Sequence, residues 1–181
     1  MNPTTDSVIR WLLDGDPAIR WQVLRDLAGA PPAAVERERR KIARVGWGAR
    51  LLAKQDAAGR WAGGKSGDGG LYSPKWISTT YTMLLLRDFG LLPVKQTRPA
   101  CRLLLDQGLQ RDGGINYGWR GSSETCITGM ILSILSYFKH DDDRLATLVE
   151  HLLRQQMPDG GWNCQRRFGA THASVHTTIS V

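Results

Sequence analysis

Apolar residues recur along the chain at helical spacing. Leu145, Leu148, Val149, Leu152 and Leu153 line one face of a helix. A second kind of stretch, Glu124 to Phe138, is almost uncharged and predicts an inner helix covered on most sides, with Ser122 or Ser123 as its N-cap. Ser78 to Phe89 holds Tyr81, Leu84, Leu85 and Phe89 and stops at Gly90, a residue suited to the position just past a helix end. Near the N-terminus, Val8 to Leu13, Pro17 to Leu27 and Pro32 to Arg44 read as three further helices, the last two opened by prolines. The run His140-Asp141-Asp142-Asp143-Arg144 places negative charge at the first turn of the helix that follows.

The pattern repeats. Leu51 to Gln55, Leu103 to Gln107 and Leu152 to Gln156 are short apolar helix ends, each followed by a glycine turn and then by another apolar stretch. The glutamines lie at intervals near 50 residues, on the order of one helical hairpin in a repeat protein. In the third copy Pro158 stops the helix, and the Gln156 amide is placed to cap it or to reach the glycine loop. Gly160 and Gly161 permit a tight turn, and Trp162 folds back over the helix end with its indole N–H free to donate. The expected architecture is all-α: residues 1–45 form a helical cap and residues 46–181 about two and a half stacked hairpins.

Composition narrows the function. The 181 residues include 20 glycines and 7 tryptophans, with Trp61 and Trp162 just after two of these turns. The formal charge of +7 is spread along the chain, and its densest stretch, Glu36 to Arg44, interleaves both signs as a solvated helix face does. No nucleic-acid partner is therefore expected. No apolar run reaches the roughly 20 residues of a spanning helix, and the N-terminus lacks the basic start of a signal peptide. Cys101, Cys126 and Cys164 form no disulfide framework, so a cytoplasmic setting is expected, with Cys101 read as a buried small hydrophobe. Gly63 to Gly70 has the composition of a phosphate loop but not its spacing.

An apolar helix ending in Gln and followed by Asp159-Gly160-Gly161-Trp162 resembles the QW motif of the terpenoid cyclase and protein prenyltransferase superfamily. The resemblance runs over residues 46–181 and implies an α/α toroid around an isoprenoid cavity, with this chain as an incomplete ring. The acidic DxDD signature of the class II cyclases is missing, and Asp141 to Asp143 read as a solvated helix start. A closer local similarity is to the zinc site of the prenyltransferase β subunit. By that resemblance Glu124 stands for the aspartate ligand, Cys126 for the thiolate and His176 for the imidazole of a Zn²⁺ site. His172, four residues before His176 and so on the same helical face, is placed to join the site or to orient His176. Carboxylate, thiolate and imidazole suit zinc and leave a fourth position open. The same residues also read as core (Cys126), helix start (Glu124) and a polar cavity lining (His176).

Trp76, Tyr117 and Arg120 are the candidate substrate-cavity residues, aromatics for cation–π contact and Arg120, with Lys75, for a diphosphate. The chain stops inside an apolar stretch at Val181, which suggests a missing C-terminal half or a homodimer. The leading expectation is a protein that binds and transforms an isoprenoid or other apolar small molecule at zinc. The alternative is a non-catalytic helical repeat that binds a protein or lipid.

Overall fold

The computed structural model describes residues 3–63, 66–118 and 122–181. Among these, all regular structure is helical, apart from an isolated antiparallel bridge between Leu109 and Ile115. The helices are α1 (Pro3–Leu13), α2 (Pro17–Asp26), α3 (Pro32–Arg39), α4 (Gly46–Leu52), α5 (Thr79–Asp88), α6 (Thr97–Gly108), α7 (Thr125–Tyr137), α8 (Arg144–Gln155) and α9 (Val175–Thr178), with 3₁₀ turns at Arg40–Ala43 and Cys164–Phe168. The chain divides into two compact units, one of residues 1–55 and 85–94, the other of residues 56–84 and 95–181.

The first unit is organised by Trp21. Its indole N–H donates to the Phe89 carbonyl at 2.7 Å, and the guanidinium groups of Arg25 and Arg39 lie over the ring at 4.4 and 5.0 Å. Gly90, at φ +85°, lets the backbone run against this ring, where an added Cβ would come within 2.4 Å of it. Asp16 caps α2 by accepting the Ala18 N–H and also accepts the Trp47 N–H, which ties the start of α4 to the start of α2. The acidic residues of α3 pair with neighbouring cations: Glu36 with Arg40, and Glu38 with Lys41 and with Arg20 of α2. Its positive charge is thus partly cancelled in place, as interleaved signs predict.

The second unit is built on α7, which packs on α6, α8 and α9. Thr125, Cys126, Ile127, Thr128, Gly129, Ile131, Ile134 and Leu135 are buried, so this nearly uncharged helix is an inner one. Gly129 is where the C-terminal segment crosses it, and a Cβ there would sit 2.3 Å from the Ser180 carbonyl oxygen. Glu124 rather than a serine occupies the N-cap place, because the Ser123 N–H and hydroxyl are both engaged by the Asp112 carboxylate.

The three glycine turns obey one hydrogen-bond scheme. The N–H groups of Asp56, Gln110 and Met157 donate to the carbonyls of Arg60, Gly114 and Gly161, and the turn glycines Gly59, Gly113 and Gly160 all have φ of +88°. The residue after each turn, Trp61, Ile115 or Trp162, donates its N–H to a threonine hydroxyl, that of Thr79, Thr128 or Thr178, at 3.2, 2.8 and 3.0 Å. Each hydroxyl passes its own proton to a carbonyl, those of Gly70, Glu124 and Trp162 respectively. This places Gln110, not the residue following Gln107, at the Asp56 and Met157 position. The middle copy is therefore offset from the glutamine register read in the sequence. In the third turn the Gln156 amide reaches the Gly160 carbonyl at 2.7 Å, and the Trp162 indole donates to the Leu152 carbonyl at 2.7 Å, one of the helix-end acceptors of α8.

Thr79 and Thr128 are fully buried, while Thr178 is exposed. Replacing either buried threonine by valine keeps the shape but leaves a turn N–H unpaired away from water, at a cost of about 1–3 kcal/mol. Thr178→Val, where water replaces the hydroxyl, should cost about 0.5 kcal/mol or less. Urea unfolding of the three variants against wild type checks this order.

Candidate functional site

The residues proposed for zinc do not converge. His176 lies on the single-turn helix α9 with its side chain exposed, and His172, also exposed, is in the loop before it. Cys126 is buried at the first turn of α7, and Glu124 is paired with Arg167 at 3.9 Å. Among the described residues no group of three or more His, Cys, Asp or Glu side chains is arranged to hold a metal ion. The expected Zn²⁺ cofactor is corrected accordingly. Cys126 and His176 do hold equivalent places in their repeats, each two residues before the threonine of its turn, but equivalence in a repeat is not proximity.

What Cys126 meets instead is Cys164. The Cys126 backbone N–H, one of the unpaired donors at the start of α7, points at the Cys164 sulfur at 3.4 Å. The Thr177 hydroxyl donates to the same sulfur at 3.3 Å while accepting the Cys164 N–H at 3.1 Å. The Cys126 thiol is a further hydrogen-bond donor to it. That last bond is the main reason the Cys164 thiol is held below the ordinary thiol value, with burial acting against it and Thr177 and the Cys126 N–H assisting. The same bond, together with burial, pushes Cys126 up, so Cys164 is the sulfur of the pair that ionises first. Cys164 is half-buried and Cys126 buried. Cys101, in the core of α6, is pushed up to about 12 by burial.

A polar cleft lies beside this pair, formed by residues 66–73 and 116–118. Two adjoining hollows of about 590 and 430 Å³ share Gly67, Asp68, Asn116, Tyr117 and Gly118. Gln107 and Gln110 line the first, and Tyr72, Glu124 and Ile127 the second. Burial pushes the Asp68 carboxyl up, but the Ser66 hydroxyl and the N–H groups of Ser73, Tyr72 and Gly70 outweigh it and hold the group below the ordinary range. Tyr117 lines both hollows, yet its hydroxyl turns inward to the Leu104 carbonyl at 2.7 Å. Trp76 is 77% exposed and stacks on Tyr81, which in turn bonds the Tyr72 hydroxyl. Arg120 falls outside the described residues. Among the described residues the lining mixes carboxylate, amides and phenol with Leu71 and Ile127.

Two further features escaped the sequence reading. His151 is buried and bridges the second turn: its Nδ1–H donates to the Asp112 carbonyl and its Nε2 lies 3.0 Å from the Ser123 hydroxyl. Because that hydroxyl already donates to the Asp112 carboxylate, the group reads as a clamp between α8 and the turn. The other feature is an open apolar hollow of about 600 Å³ at the third turn, lined by Asp159 to Gly161, Ala173 to Val175, Thr178 and Ile179.

Compared with known proteins, the chain matches no family model and no curated protein. With no matching family model or curated protein, and no metal cluster among the described residues, the expected zinc-dependent cyclase-like or prenyltransferase-like activity is overturned as well. Among the described residues, no helix is long and apolar enough to cross a membrane.

Because thiolate is the reacting form, alkylation of Cys164 by iodoacetamide should rise with pH and reach half its plateau below the midpoint of an ordinary thiol, about pH 8.5. Cys101 should react at least about tenfold more slowly at pH 7 in the folded chain. Peptide mapping after timed alkylation at several pH values checks both.

Proposed function

We propose that this chain is a non-catalytic helical-repeat module that binds an amphipathic helix of a protein partner on the open end of its third hairpin. The observation that carries this reading is Gly160. It has the same φ as Gly59 and Gly113 and ends the same kind of turn. A Cβ on Gly59 would meet Pro99 and Ala100 of α6, and one on Gly113 would meet Thr147 of α8. A Cβ on Gly160 would meet nothing within 4 Å among the described residues. Two turns are roofed by the helix that follows, and the third is bare.

The surface around the bare turn suits such a roof. Val175 and Ile179 are 85% and 83% exposed and border the hollow. On α6, Asp106 faces the next hairpin and pairs with Arg144 of α8 at 2.7 Å. The repeat places Leu153 of α8 where α6 has Asp106, and Leu153 is exposed. A helix docked on this turn would need an apolar residue where α8 presents an arginine. Exposed apolar residues gathered at one place mark an interaction surface. The likeness of the glycine turns to the QW motif supports kinship in the repeat architecture alone; no chemistry is carried over with it.

The probe is a synthetic peptide of α8, Arg144–Gln155, the helix that roofs the preceding turn, carrying Arg144→Leu to meet Leu153. Fluorescence anisotropy of the labelled peptide with the full chain should show saturable binding. Leu153→Asp and Ile179→Asp in the full chain should each weaken it about tenfold or more. Binding that is absent, or that ignores both substitutions, overturns the reading. Light scattering run alongside assigns the surface to a second copy of this chain, instead of a separate partner, if mass rises with concentration.

A further inference from the structure

The structure assigns Cys126 and Cys164 as a thiol–disulfide exchange site whose substrate class is a low-molecular-weight disulfide. The two residues come from different hairpins, and the fold places them together: Cys126 at the start of α7, Cys164 at the start of the 3₁₀ turn Cys164–Phe168. Cys164 is the less buried of the two, and its sulfur receives the Cys126 N–H and the Thr177 hydroxyl, donors that favour its thiolate. Cys126 is buried, with its backbone N–H 3.4 Å from that sulfur. One sulfur is thus placed to attack and the other to resolve. The charged and titratable neighbours are Glu124, paired with Arg167, and the phenol of Tyr72.

The chemistry balances without a further reactant. The Cys164 thiolate attacks one sulfur of the small disulfide, forming a protein–small-molecule disulfide and expelling the other half as a thiolate, which takes up a proton. Cys126 then gives up its proton, its sulfur bonds to Cys164, and the second small thiolate leaves and is protonated. Counted from the dithiol, the protein loses two electrons and two protons, one from Cys126 and one that Cys164 released to solvent on ionising; the small disulfide gains both and becomes two thiols. The bond fastens the turn Cys164–Phe168 of the third hairpin to α7. The inference stands apart from helix binding, since it depends on neither Gly160 nor Leu153.

The test uses the full chain in buffers of oxidised and reduced glutathione, with free thiols alkylated after acid quench and located by peptide mapping. Wild type should show a Cys126–Cys164 disulfide with Cys101 alkylated. Cys126→Ser should stop at a single glutathione adduct on Cys164, and Cys164→Ser should give neither disulfide nor adduct on Cys126. Circular dichroism of each variant confirms that it is folded, and the wild-type map decides the matter if a variant is not. Wild type that keeps both thiols free in oxidised glutathione, or that links either cysteine to Cys101 instead, overturns the assignment.

Discussion

A backbone N–H leaving a tight turn has no helix or strand to receive it, and burying it unpaired is costly. Three times in this chain that donor is received by the hydroxyl of a threonine at or near the start of the next helix: Thr79, Thr128 and Thr178. The turn and the helix are thereby fixed to one another, and the direction of the incoming chain is set. The other features of the second unit follow from this fixation. Because Thr128 holds the turn of the second hairpin to α7, the helix N-terminus faces the loop of the third hairpin. There its free N–H groups find the Cys164 sulfur. Because Thr178 does the same for the third turn, Val175 and Ile179 are held out beside Gly160.

Much of this organisation is written locally and can be read locally. The helices are marked by apolar spacing and prolines, the turns by glycine, and Trp162 by its position after a helix end, so those features match the residues that encode them. The offset of the middle copy was not visible in this way. Gln107 looks like the partner of Gln55 and Gln156, but α6 runs on to Gly108, and the turn begins only at Gln110. Spelling followed the glutamines, while the hydrogen bonds follow the glycines.

The site was harder to read for the same reason in another form. Glu124, Cys126 and His176 suit zinc as residue types, and the repeat spacing suggests that they share a height. Repeat equivalence places residues at matching positions on different helices, and only lateral packing decides whether they touch. Here α9 is a single turn with His176 turned to solvent, and the place beside Cys126 is taken by Cys164. That pairing spans 38 positions and depends on the path of the loop after Trp162, which no local pattern encodes. His151 was silent too, since its partners are a backbone carbonyl and a serine of another hairpin.

An ion pair joins Asp106 of α6 to Arg144 of α8. The pair is particular to this seam: in the register set by the turns, α6 has Thr97 where α8 has Arg144, and α8 has Leu153 where α6 has Asp106. Charge therefore fixes α8 against α6 at one point, while the equivalent point on α8 is apolar, so a helix laid there would be chosen by shape and hydrophobicity and not by charge.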